Sequence, residues 1–371
     1  MEIPARFRRG ARTLVCSWLL AAVTVTLASC GTSTPAAGPS GRGSTPRTPG
    51  TTSRSTPAAT PGHVAPAGSG RPQAGGPGVP LPAPAALAPF GRHPVAGEGA
   101  WRPAGRAVHG VRAIYETALI PPGGSQAAGI SWMDTRLLSA RLYSGSRSPG
   151  GGPYRFTAPI RPAQAASLVA AFNGGFMMNE AGGGYYTQGR AVDPLRRGTA
   201  SLVIYANGSV NVGAWGSDVA MTRDVVGVRQ NLVPLVAGGR PTRRAASPNW
   251  RAWGATCGAT SCAATVPGIE HQWRSGVGVT ASGALVYATG PALDPLQLAR
   301  LLVRAGVVRG MQLDINPDWT VFVSYAPRTA GGRAAPANGS KLVPSTVQGP
   351  WTFFQPRWAR DFITLSARPG G

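Results

Sequence analysis

Apolar and polar residues alternate through 111–119 and again through 130–143, the period of two expected of strands with one buried face. A short helical pattern over 162–170 stops just before Asn173. Segments 201–205 and 210–214 flank Asn207-Gly208, and segments 277–280 and 285–288 flank Ser282-Gly283; both read as hairpins. Asp294 can cap a helix carrying Leu296, Leu298, Leu301, Leu302 and Val303, and Gly306 can close it. Strands follow at 311–315 and 320–325. Strands dominate and helices are few and short. The predicted class is α+β: a single domain, 93–371, built on a mixed β-sheet core.

The patterning is absent before residue 93. Residues 31–92 are almost wholly Pro, Gly, Ser, Thr and Ala, with few larger apolar side chains to offset the entropy of ordering. The segment from 30 to 92 therefore reads as a disordered tether. Ahead of it, Arg6, Arg8, Arg9 and Arg12 precede an apolar run of about 14 residues, short for a membrane-spanning helix of ~20. This is the pattern of an export signal over 1–29. It ends in Leu27-Ala28-Ser29-Cys30-Gly31, which resembles a bacterial lipobox with Cys30 as the lipidated residue. The competing reading is an ordinary signal cleaved near Ala28. The lipobox predicts an exported protein held by a lipid anchor on the outer face of the membrane, in the cell envelope.

Composition changes the picture in two ways. Gly 52 and Pro 36 in 371 residues fit the tether, and they exclude a coiled coil while lacking collagen's strict period. A net charge of +23 raises the question of nucleic acid. The cations are spread along the chain, however, with no Lys/Arg run longer than a pair such as Arg196-Arg197. Nucleic-acid binders concentrate charge in a stripe, and an exported chain has little access to such partners. No nucleic-acid partner is expected.

Cys257 and Cys262 enclose four residues, and outside the cytoplasm a small disulfide loop is the natural reading. A metal site would want more Cys or His nearby, and only His271 is close. No metal site is assigned. The candidate chemistry lies in glycine-rich turns and sparse acids. Asn173-Gly174-Gly175-Phe176 brings backbone amides and a side-chain amide together, where an anion can approach. Gly182-Gly183-Gly184 follows, with a tight structural turn as the plain alternative. Asp314 ends a buried-looking strand, and Arg274 enters another beside glycine. Glu180 and Asp193 are reserve carboxylates.

Taken in order, these pieces resemble the phosphodiester glycosidase family. The matching positions are Asn173 to Phe176, Arg274 with Gly278, Leu313-Asp314, and Arg360-Asp361-Phe362, within a span of about 108–365. Where the family has Gly-Gly-Gly-Ser after the Asp, this chain has Ile315-Asn316-Pro317-Asp318-Trp319. The resemblance implies hydrolysis of a sugar-1-phosphodiester, with a sugar-phosphate-containing glycan or wall polymer as partner. It implies Asp314 as nucleophile, base or oxocarbenium stabiliser, Arg274 as phosphate clamp, and Asn173 as an orienting catalytic residue. Gly174, Gly175, Phe176, Gly278, Asn316 and Asp318 would bind substrate. It implies no cofactor and leaves a divalent metal open. The changed turn leaves open a different substrate, side-chain contacts from Asn316 and Asp318, or lost activity. The alternative class is a non-catalytic wall-glycan-binding lipoprotein of the same fold.

Overall fold

A computed structural model describes residues 79–247, 253–254, 270–329 and 331–370. The export signal, Cys30, most of the tether and the Cys257–Cys262 pair lie outside the described residues. The first half of the domain carries β1 (Arg102–Val108), β2 (Val111–Leu119), β3 (Ala128–Met133), β4 (Leu138–Tyr143), α1 (Pro162–Ala165), β5 (Leu168–Asn173), β6 (Tyr185–Thr187), β7 (Arg190–Asp193), β8 (Ala200–Tyr205) and β9 (Val210–Ala214). The second half carries β10 (Val225–Gln230), β11 (Val236–Ala237), β12 (Arg240–Pro241), β13 (Gln272–Thr280), β14 (Leu285–Leu293), α2 (Pro295–Arg304), β15 (Val307–Gln312), β16 (Phe322–Tyr325), β17 (Gly339–Lys341) and β18 (Phe362–Ala367).

The strands form three sheets: β1-β2-β3-β14-β13-β15-β11-β12, β7-β6-β10-β8-β9, and β17-β16-β5-β18-β4. Every pairing between these strands is antiparallel. The expected mixed sheet is thus corrected, and the domain is mostly β, with two short α-helices among the described residues. Antiparallel pairs need only tight turns, whereas parallel ones need long crossovers, and this chain has little helix to supply them.

Local signals hold where the turn chemistry is explicit. Asn207-Gly208 joins β8 to β9, and Gly208 takes φ 75°. Ser282-Gly283 joins β13 to β14 in the same way, with Gly283 at φ 90°. At α2 the Asp294 carboxylate accepts the Gln297 N–H (2.6 Å), and the Gln297 side chain accepts the Asp294 N–H (2.9 Å). This reciprocal cap sets the start of the helix.

Two expected elements differ. The single strand over 130–143 is broken into β3 and β4, which lie in different sheets. Asp134 makes the corner: its carboxylate accepts the N–H of Arg136 (2.8 Å) and of Leu81 (2.7 Å). The expected helix over 162–170 is one turn long, because Leu168–Asn173 is a central strand buried along its whole length. A short continuous apolar run fits either state, and here the flanking strands β16 and β18 decide.

All three sheets meet in one apolar core, with Ile114, Val277 and Met311 from the first, Leu202 and Val212 from the second, and Phe172, Phe322 and Ile363 from the third. On the other face of the eight-stranded sheet, α2 buries Leu298, Leu301 and Leu302 against Val286 and Val307. Each such leucine contributes about 1.5–3 kcal/mol. Residues 79–92, assigned to the tether by composition, lie against this layer. Leu81 is buried, the Leu87 N–H donates to Gly99 O (2.9 Å), and the Arg304 guanidinium stands 4.0 Å over the Phe90 ring. The packed domain therefore begins near Leu81; its few apolar side chains suffice because α2 offers them a surface. Among the described residues no helix is long and apolar enough to cross a membrane.

Candidate active site

Four chain segments converge where β5, β10 and β15 end and β18 begins. Phe362 pairs with Asn173 across β18 and β5, and Gly276 pairs with Gln312 across β13 and β15. The residues just beyond these pairs are Gly174-Gly175, Asp314 and Arg360-Asp361. From the end of β10, the Asn231 amide donates to Gln312 O (3.0 Å) and Leu313 O (2.8 Å), while its oxygen accepts the Phe176 N–H (3.0 Å).

The Gly174-Gly175 turn is tight for a physical reason. A Cβ on Gly174 would lie 2.0 Å from the Asp361 carboxylate, and one on Gly175 2.6 Å from Asn231 Oδ1. Asn173 is fully engaged. Its nitrogen donates to Gly174 O (2.7 Å) and Ser275 Oγ (3.0 Å), and its oxygen accepts from the Tyr287 hydroxyl (2.7 Å) and the Val321 N–H (3.1 Å). Ser275 Oγ in turn donates to Asp314 O (3.2 Å). With no donor or acceptor left, Asn173 positions the backbone of Asp314.

Asp314 is 2% exposed. One carboxylate oxygen accepts the N–H groups of Ile315 (2.8 Å) and Asn316 (3.0 Å); the other accepts from Arg360 Nη2. Burial raises its pKa above the ordinary aspartate value, and this outweighs the opposing pull of Arg360 and the two amides. Arg360 Nη2 also donates to Gly175 O (3.3 Å), and the guanidinium lies 5.1 Å over the Trp319 ring. Its Nε is buried without a partner among the described residues. Trp319 and Trp358 meet edge to face, centroids 5.2 Å apart, and both are partly exposed at the rim.

Arg274 does not join this group. Its Nε donates to Leu293 O (2.6 Å), its Nη1 to Trp253 O (3.3 Å) and Gln312 Oε1 (2.9 Å), and its Nη2 to Glu270 O (2.9 Å). Burial lowers its pKa to about 10, with Asp294 pulling the other way. It points to the sheet face opposite its neighbour Ser275, and every one of its guanidinium nitrogens is committed to the protein. The cation paired with Asp314 is Arg360 instead. Gly278 also lies elsewhere, inside β13, where a Cβ would meet Val307 Cγ1 at 2.4 Å. Phe176 is buried beside the turn, Asn316 accepts the Asp318 N–H (2.8 Å), and Asp318 is exposed. Glu180 is exposed and Asp193 ends β7. Gly183 and Gly184 serve packing: their Cβ positions are occupied by Gln230 and by Pro194 O.

A second buried pair underpins the turn. Arg229 Nε donates to Asp361 Oδ2 (2.8 Å), both side chains are fully buried, and Arg229 Nη2 also donates to Phe176 O. Arg229 and Asn231 carry no distinctive mark in the sequence. The Arg-Gln-Asn run that closes this apolar segment is a common pattern with no chemistry of its own. Among the described residues no three His, Cys, Asp or Glu side chains gather as a metal site would require.

No family model and no curated protein matches the chain. Among solved structures, the chain is similar to the catalytic domain of zebrafish N-acetylglucosamine-1-phosphodiester alpha-N-acetylglucosaminidase, auto-inhibited by its pro-peptide. That likeness has a TM-score of 0.42 and 15% identity, over 72% of this chain and 87% of the other. A hypothetical protein from Synechocystis gives a TM-score of 0.39 and 12% identity, over 72% of this chain and 64% of that one. Both likenesses are distant.

Proposed function

We propose that this protein hydrolyses sugar-1-phosphodiester bonds in envelope or extracellular glycans, and that it is exported and lipid-anchored through Cys30. One observation carries the reaction: a buried Asp314 carboxyl joined to Arg360 directly beside the Gly174-Gly175 backbone. The C1–O bond breaks and its electron pair leaves with the phosphomonoester. Water adds to C1, and the proton it sheds passes to the departing phosphate or to solvent. A phosphomonoester has a second pKa of about 6, so its departure needs little help from an acid. What it needs is a cation, and the Arg360 guanidinium beside the turn supplies it. Asp314 faces the positive charge that grows on the sugar ring.

The test is sugar release from a panel of sugar-1-phosphodiesters by the wild type and Asp314→Asn. Release by the first and not the second supports the reading; no release by either removes it. The rival reading, a glycan-binding protein without turnover, is favoured by one feature. The Asn316 N–H already caps Asp314, and Pro317 offers no N–H, so fewer backbone amides face a phosphate than a glycine turn would supply. Glycan retention without release would establish it.

A further inference from the structure

A cavity of about 420 Å³ lies between β4, the outermost strand of its sheet, and β8 and β10 of the neighbouring sheet. None of its lining residues belongs to the Asp314 group, and none is a carboxylate. Its size falls within the ~300–1,000 Å³ of small-molecule sites. The floor is apolar, formed by Leu142, Ile204 and Phe156, and the rest of the lining combines exposed Val226 with the hydrogen-bond donors of Arg141, Gln188, Asn207 and Arg368.

Arg141 is exposed and held 4.1 Å over the Phe156 ring, with no hydrogen bond or ion pair among the described residues. The Arg155 guanidinium lies 5.3 Å from the same ring, outside the cavity lining. Arg368 donates from Nε to Thr135 O (3.1 Å) and from Nη1 to Asn207 O (2.5 Å), which fixes its guanidinium at the rim. The two rim amides have spent their acceptor ends. Gln188 Oε1 accepts the Arg155 N–H (3.0 Å), and Asn207 Oδ1 accepts the Ser209 N–H (3.0 Å) and hydroxyl (2.6 Å). Backbone donors set these orientations, so each amide offers its NH₂.

An apolar floor below a rim that carries guanidinium and amide donors is complementary to an apolar body carrying an oxyanion. We propose that this cavity binds small amphipathic phosphate esters, as a site separate from Asp314. The ester's organic body fills the floor, and its phosphate meets Arg141, Arg368 and the amides of Gln188 and Asn207.

The probe is 4-bromophenyl phosphate, with 4-bromophenol and inorganic phosphate as the half-probes. Calorimetry on the full chain should give a dissociation constant below about 1 mM, each half-probe binding at least about tenfold more weakly. Arg141→Ala removes the stacked cation and Val226→Trp fills the rim at an exposed position; each should weaken binding by at least about tenfold. The bromine anomalous signal in a soaked crystal should fall in this cavity. A bromine signal only near Asp314, bromophenol binding as tightly as its phosphate, or unchanged affinity in both variants would each overturn the proposal.

Discussion

Arg360 reaches Asp314 across 46 residues of sequence and joins it in a pair that is almost wholly buried, while Arg274 turns to the other face of its sheet. The pair contains a buried carboxyl whose pKa burial has raised, held against a cation whose buried Nε has no partner among the described residues.

Arg360→Lys keeps the charge and loses the planar fork, so sugar release should fall about 10²–10³-fold, comparable to the loss of one oxyanion donor. Arg274→Lys should instead lower the melting temperature, because a lysine cannot reach four acceptors, and leave turnover of the folded fraction unchanged. Measuring melting and release on the same preparations separates the two. The reverse pattern would restore Arg274 as the clamp.

Asp314→Asn should abolish release and also destabilise the fold by about 3 kcal/mol, since it leaves Arg360 buried without its counter-charge. The pH profile of the wild type carries the same information. If the ionised carboxyl is the working form, activity falls as pH drops through a pKa lying above the ordinary aspartate value. An acid limb at the ordinary value would dissociate Asp314 from the rate.

The Arg229–Asp361 pair is fully buried, so Asp361→Ala should cost about 3–5 kcal/mol in a urea titration. Replacing both partners with apolar residues of similar volume should recover most of that loss. A double variant no better than the single one would mean that the Gly174 and Phe176 contacts, not the charge pair, carry the stability.

Glu116 on β2 is largely buried beside Ser324, with one carboxyl oxygen unpartnered. Burial raises its pKa from 4.5 to about 7, opposed by the Ser324 hydrogen bond and by Arg102. The folded state therefore holds this proton more tightly than the unfolded chain does. Its contribution is complete below pH 4.5 and is lost as pH rises to about 7, a change of about 3 kcal/mol. Glu116→Gln should flatten this part of the stability–pH curve, as read from denaturation midpoints. An unchanged slope would assign it to another group.

Cys30→Ala should release the protein from membranes or leave its leader uncut. Unchanged acylation and membrane retention would rule out the lipobox.

Sequence alone determined the features whose physics is local. Asn207-Gly208 and Ser282-Gly283 specify hairpin turns through the backbone freedom of glycine, and Asp294 with Gln297 specifies the start of α2 through a reciprocal cap. The tertiary structure decided what depends on neighbours distant in sequence. Leu168–Asn173 is a strand because β16 and β18 flank it, and the 130–143 pattern is cut in two because Asp134 ties the corner to Leu81. Which arginine pairs with Asp314 could not be read from spacing, since Arg274 and Arg360 carry the same guanidinium. Only the fold, by placing four acceptors around Arg274 and Asp314 beside Arg360, tells them apart.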